Sequence, residues 1–251
     1  MKKLLLSLTL FVGICANAQN LSADHKAVIA DFVSCFKDNN EQKLTERIAF
    51  PLKREYPLPS IKNEREFFKR FDEVFDKEFV EQIKKSGNGE GWDAVGWRGI
   101  MLGAGDIWLD EDGNIISINH QSPVEAKMRK ALIAAERETV HESVKEYKEP
   151  VMVMFTDKFT IRIDRMENGK YRYASWKRQA KMDSKPELIV LNGSFEPQGS
   201  GGNHYYRFAN GKYVYICGIT VIGEDDAPPA YLTVLKNGTE ILNQDAEVFE
   251  P

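Results

Sequence analysis

Cysteine is scarce, with three in 251 residues, and Cys15 sits in the N-terminal apolar run, which leaves Cys35 and Cys217 for the rest of the chain. Two distant cysteines carry no spacing pattern, so neither a disulfide framework nor a Cys/His zinc centre is specified. Either they form one bridge, or they serve as small buried hydrophobes, Cys35 beside Val33 and Phe36 and Cys217 after Tyr213-Val214-Tyr215-Ile216. Only four histidines are present, at 25, 120, 141 and 204, and no H-E-x-x-H run joins any of them. There is no basic excess, 34 Lys and Arg standing against 38 Asp and Glu, which argues against a nucleic-acid partner. Beyond the first 18 residues no stretch approaches the roughly 20 apolar residues of a membrane span. Nucleotide and hydrolase signatures are missing too: Ser200-Gly201-Gly202-Asn203 is not followed by Gly-Lys-Ser/Thr, and no G-x-S-x-G elbow occurs. Asp110-Glu111-Asp112-Gly113-Asn114 imitates a calcium loop but has Gln121 where the closing Glu belongs, so it reads as a hairpin turn. No metal and no cofactor are expected.

What is present begins with an address. Lys2-Lys3, an apolar run from Leu4 to Ile14, and Ala16-Asn17-Ala18 follow the order of a secretory signal with cleavage after residue 18. The expected location is periplasmic or secreted, in a bacterial cell envelope. Ile14 before Cys15 is too large for a lipoprotein peptidase, so a lipid anchor is not expected.

Ile29, Phe32, Val33 and Phe36 form a helical stripe after Ser22. A shorter helix follows through Leu44 and Ile48, then an extended strand or edge around Phe50-Pro51-Leu52 and Tyr56-Pro57. Asn63 with Glu66 marks the start of a long helix of about twenty residues lined by Phe67, Phe71, Val74, Phe75 and Ile83. Trp97–Leu102, Gly105–Leu109 and Asn114–His120 read as strands. Residues 123–149 read as an exposed or connecting helix, and 150–251 as short β runs. Asn168-Gly169, Asn210-Gly211 and Asn237-Gly238 each fall between two such runs and signal hairpins. The fold class is α+β: a helix-plus-antiparallel-sheet domain over 19–122, then an all-β sandwich or barrel-like domain.

Helix, helix, Phe50-Pro51-Leu52, a helix carrying Phe67-Phe68 and Phe71-Asp72, then Trp97-x-Gly99 and Gly105-Asp106-Ile107-Trp108 resembles the nuclear transport factor 2-like group of cystatin-like domains. The resemblance covers residues 21–122 and implies a curved sheet around a long helix with a conical pocket. It implies no catalytic residues, because that group shares no catalytic set.

Two sets of side chains are candidates. Strand parity groups Ile116, Ile118 and His120 on one face and Asp106 with Trp108 on another, so an inward-facing His120, Asp106, Trp97 and Trp108 could line a pocket, as acid, base and aromatic wall. Around the Asn168-Gly169 hairpin, Arg162, Arg172 and Trp176 alternate with tyrosines, either as a binding surface or as a basic outer face of an ordinary strand. The expectation is an exported, non-enzymatic module that binds a small ligand, a glycan or an envelope protein; the alternative is a hydrolase or isomerase working through His120 and Asp106.

Overall fold

The computed structural model describes residues 21–224 and 226–251. The expected targeting segment, with Cys15 in it, lies outside them. Four helices come first: α1 (Ala23–Lys37), α2 (Glu41–Thr45), α3 (Glu64–Val74) and α4 (Lys77–Lys85). A four-stranded antiparallel meander follows, β1 (Trp92–Ala94), β2 (Ile100–Leu102), β3 (Ile107–Leu109) and β4 (Ile115–Ile118). Helix α5 (Pro123–Arg137) then leads to eight strands: β5 (Glu149–Phe155), β6 (Phe159–Arg165), β7 (Tyr171–Lys177), β8 (Leu188–Pro197), β9 (His204–Asn210), β10 (Tyr213–Ile219), β11 (Ala230–Lys236) and β12 (Thr239–Val248). These close into an antiparallel barrel, each strand beside its sequence neighbour and β12 returning to β5. Of sandwich and barrel, the chain forms the barrel. The hairpins at Gly169, Gly211 and Asn237-Gly238 all form, the glycines taking positive φ.

Three expected elements are corrected. The long Phe-rich helix is two helices, because the Asp76 side chain accepts the amides of Glu78 and Phe79 and starts a new N-terminus there. The break turns the chain so that Phe75 and Phe79 stack at 5.9 Å. The Phe50–Pro59 stretch is not a strand; its ladder is reduced to the single bridge Leu52↔Ile61. Trp97 does not begin a strand either. Gly96–Arg98 is a 3₁₀ turn between two glycines of positive φ, and β1 over Trp92–Ala94 is an element the alternation did not show.

Phe32, Phe36, Phe67, Phe75 and Phe79 pack edge-on or stacked with Trp92, all nearly inaccessible, and fill the space between helices and sheet. The barrel interior is likewise occupied, by Ile161, Ile163, Tyr173, Phe208, Cys217 and Leu232 among others, as eight strands leave a lumen about as wide as its side chains. Both described cysteines are free, buried in these separate cores, and burial pushes the Cys217 thiol pKa up.

Helix α5 connects the two units with much of its surface exposed, but two of its acids are withdrawn from water. Glu125 is fully buried, its Oε1 2.8 Å from Arg54 Nε and 3.6 Å from Arg70 Nη2. Arg54 also donates to the carbonyls of Ile118 and His120, fixing the end of β4 against the start of α5. At the other end of the helix, Glu136 Oε1 accepts from Tyr56 Oη at 2.5 Å and from Arg162 Nη1 at 2.6 Å. One helix is therefore bonded to both units by charges withdrawn from water.

Candidate functional site

The sequence candidates separate into three places. Arg162, Arg172 and Trp176 lie under α5 and the following turn, at 0%, 3% and 1% exposure, so the expected basic outer face is corrected. Arg162 Nε and Arg172 Nη2 hold the two oxygens of buried Asp164 at 2.8 and 2.6 Å, and Arg172 also donates to Val144 O and Glu146 O. Tyr147 lies beneath Arg137 and Arg162, each guanidinium carbon 4.7 Å from its ring centre. Burial alone would lower the Arg162 pKa, but Asp164 and Glu136 outweigh it and raise it further. The residue types suited to a ligand surface are used to dock a helix.

His120 and Asp106 meet only through the backbone, His120 N–H donating to Asp106 O at 3.0 Å. The imidazole has a different partner: Nε2 lies 2.7 Å from Oδ2 of Asp76, and the ring stacks on Phe79 at 3.9 Å. Partial burial works against ionisation of Asp76, but hydrogen bonds from His120 and the Phe79 amide outweigh it and hold the carboxyl below its usual range. The same carboxylate thus caps α4 and orients His120. The signal for Asp76 was present as an Asp four residues before a second apolar face at Val80 and Ile83, but it lay inside one continuous periodic stretch.

The third place brings Trp97 and Trp108 together. In the meander, Met101, Trp108 and Ser117 are register partners on the outer sheet face, away from the phenylalanine core. A bulge opposite Trp108 and Leu109 adds one residue to β4, which breaks strand parity: Ile115 and Ile118 point inward while Ile116 is 55% exposed on this outer face. Of the expected inward set, Ile118 and His120 do face the core, and Ile116 alone is turned out by that bulge. The 3₁₀ turn between Gly96 and Gly99 then lifts Trp97 off the sheet edge, leaving it 65% exposed. Gly99 is required there, since a Cβ would sit 2.1 Å from Leu109 O.

Two barrel loops close the other wall. The Asn203 side chain accepts from the amides of Val221 and Ile222, each at 2.8 Å, and donates to Ile222 O, which fixes the β10–β11 loop with both aliphatic side chains outward. Gly201 lets the β8–β9 loop approach the indole: a Cβ there would lie 3.2 Å from Trp97 Cη2. Between these walls is an open groove of about 450 Å³, lined by Trp97, Trp108, Ile116, Val221 and Ile222 with Arg98, Ser117 and Ser200 at its polar margin. The Arg98 guanidinium stands 5.6 Å over the Trp108 ring. Sequence reasoning found the tryptophans by type but not Ile116, Val221 or Ile222, whose exposure depends on a bulge and on a loop bonded to a distant Asn.

Among the described residues no group of three or more His, Cys, Asp or Glu is placed to hold a metal, and no helix is long and apolar enough to cross a membrane. No protein-family model, curated protein or solved structure matches the chain.

Proposed function

We propose that this protein is an exported, non-enzymatic binding module of a bacterial cell envelope, and that its binding surface is the groove between the outer sheet face and the barrel loops. The observation that carries the reading is convergence. Trp97, Ile116, Val221 and Ile222 are each more than half exposed, come from three separate segments of two units, and share one groove. Scattered apolar side chains need no explanation, but a contiguous set with a polar margin marks an interaction site. Trp and Arg together are the side chains that dominate such interfaces. Branched aliphatic walls beside the indoles favour apolar side chains of an envelope protein over a glycan, whose hydroxyls would find no hydrogen-bonding partner on the valine and isoleucines. The cystatin-like reading of residues 21–122 belongs to the same proposal, supported by helices preceding a four-stranded antiparallel sheet; the phenylalanine packing shifts binding from its interior to its outer face.

The test is a photo-crosslinking amino acid placed at position 97 of the protein expressed in its own envelope, with the same group at Leu191, exposed on the barrel at 54%, as control. A discrete adduct at 97 that Ile222→Ser reduces, with none at 191, is the expected result. Equal labelling at both positions, or none at 97, removes the groove as the binding surface.

A further inference from the structure

The barrel closes unevenly. Strand β12 has ten residues, but its ladder to β5 comprises only Glu247↔Phe155 and Val248↔Met154, extended by Phe249 N–H donating to Val153 O. Backbone groups alternate sides along a strand, so the residues that face β5 at 247 and 249 are followed, toward the N-terminus, by Asp245 and Asn243 facing the same way. There β5 has already ended at Phe155, and the chain has turned at Thr156–Lys158 into β6. The other edge of β12 is paired with β11 from Ala246 back to Thr239, with a one-residue bulge at Ile241. Thr239–Asp245 is thus a strand with one free edge, and a pocket of about 380 Å³ opens where the ladder stops, between Phe155, Asp157, Arg178 and Asp245.

We propose that the outer edge of β12 over Thr239–Asp245 accepts an added strand from a partner protein, an extended segment carrying Lys or Arg on alternate residues. Main-chain hydrogen bonds to a free sheet edge supply affinity in this mode, and side chains at alternate positions supply specificity. Charge selects the occupant. Glu240, Asp245 and Glu247 lie along the strand with Asp157 across the gap, while the one cation at the pocket, Arg178, is stacked on Phe155 at 4.4 Å. A second copy of the chain fits poorly, because two-fold pairing of β12 with itself would bring two sets of these acids together. Ile241, 55% exposed, adds one apolar contact for the alternate residues between the cations.

The probe is a synthetic peptide of about nine residues alternating Lys with Val or Thr, a length suited to strand addition, against the same peptide with Glu for Lys. The mature full chain is used. The expected result is saturable binding of the Lys peptide only, with hydrogen-exchange protection confined to the amides of Asn243 and Asp245 and their neighbours. Asn243→Pro removes an outward N–H that the barrel does not use, a change an edge strand tolerates, and should weaken binding about tenfold or more. Asp245→Lys, which leaves the backbone intact, should do the same should the proline variant fail to fold. Trp97→Ala should leave peptide binding unchanged, which separates this site from the groove. Equal binding of both peptides, protection elsewhere, or insensitivity to both substitutions overturns the proposal. So does concentration-dependent dimerisation abolished by Asn243→Pro, which would make a second copy the occupant.

Discussion

His120 and Asp76, 44 positions apart, form the one imidazole–carboxylate contact among the described residues, Nε2 to Oδ2 at 2.7 Å, and that carboxylate also caps helix α4. Helix capping, the joint between two helices and the end of β4 therefore depend on a single acid.

Because the folded carboxyl of Asp76 is held below its ordinary value, its contribution to stability is present above the unfolded pKa and is lost as pH falls through the folded one. Asp76→Asn keeps a capping oxygen but cannot titrate, so the acid-side loss of stability below about pH 4 should be shallower than in the parent. Asp76→Ala removes the cap as well and should cost about 1–2 kcal/mol at neutral pH. Urea titrations at several pH values decide this; identical pH profiles for parent and Asp76→Asn would show that the carboxylate is not coupled to folding.

The charges under α5 make a second prediction. Removing Arg162 leaves Glu136 without its cation and the buried Asp164 with Arg172 alone, a loss of about 3–5 kcal/mol. The effect should reach beyond the barrel, since Glu136 also accepts from Tyr56 in the first unit. Arg162→Ala should convert a single thermal transition into two, followed by calorimetry. By contrast Arg165→Ala, whose side chain is 44% exposed, should change stability by less than about 0.5 kcal/mol.

Gly218 illustrates how the barrel wall is fitted. A Cβ on Gly218 would lie 2.0 Å from Cζ of Tyr231, its register partner on β11, although its φ is ordinary for any residue. Gly218→Ala should therefore destabilise by about 1–3 kcal/mol through crowding. In the double variant with Tyr231→Ala much of that loss should disappear, a coupling that denaturant unfolding of the four proteins measures. Strictly additive effects would mean the ring is not what the glycine accommodates.

How much of this was legible in the residues varies with the range of the interaction that decided it. Local signals held: Ser22 and Asn63 cap their helices through side-chain oxygens, the three Asn-Gly hairpins form, and Asp110 closes its turn by accepting the amides of Asp112 and Asn114. A first α-rich unit, a helix and a β unit in that order follow from hydrophobic period alone. The division of the Phe-rich helix was missed because its apolar spacing continues through the break, and the break is set by a cap whose partner, His120, is a whole sheet away.

The candidate site was legible only as residue types. Tryptophan and arginine mark a candidate by chemical type alone, which covers Trp97, Trp108, Arg162 and Arg172 but not Arg54, whose side chain is just as withdrawn from water. Which of them meets water is a property of tertiary structure. Arg162 and Arg172 have the alternation of an outward strand face, and that face is outward from the barrel, but α5 lies over it and brings Glu136. Ile116 has the parity of a core residue until a one-residue bulge turns it out. What the chain alone determined was helix starts, hairpin positions, and the absence of zinc, nucleotide and nucleophile-elbow spacing patterns, because these depend on neighbours a few residues apart. Burial, charge pairing, the groove and the free edge of β12 were decided by packing between distant segments, where the cost of leaving a charge or a peptide group unpaired away from water selects among faces that the sequence pattern leaves equivalent.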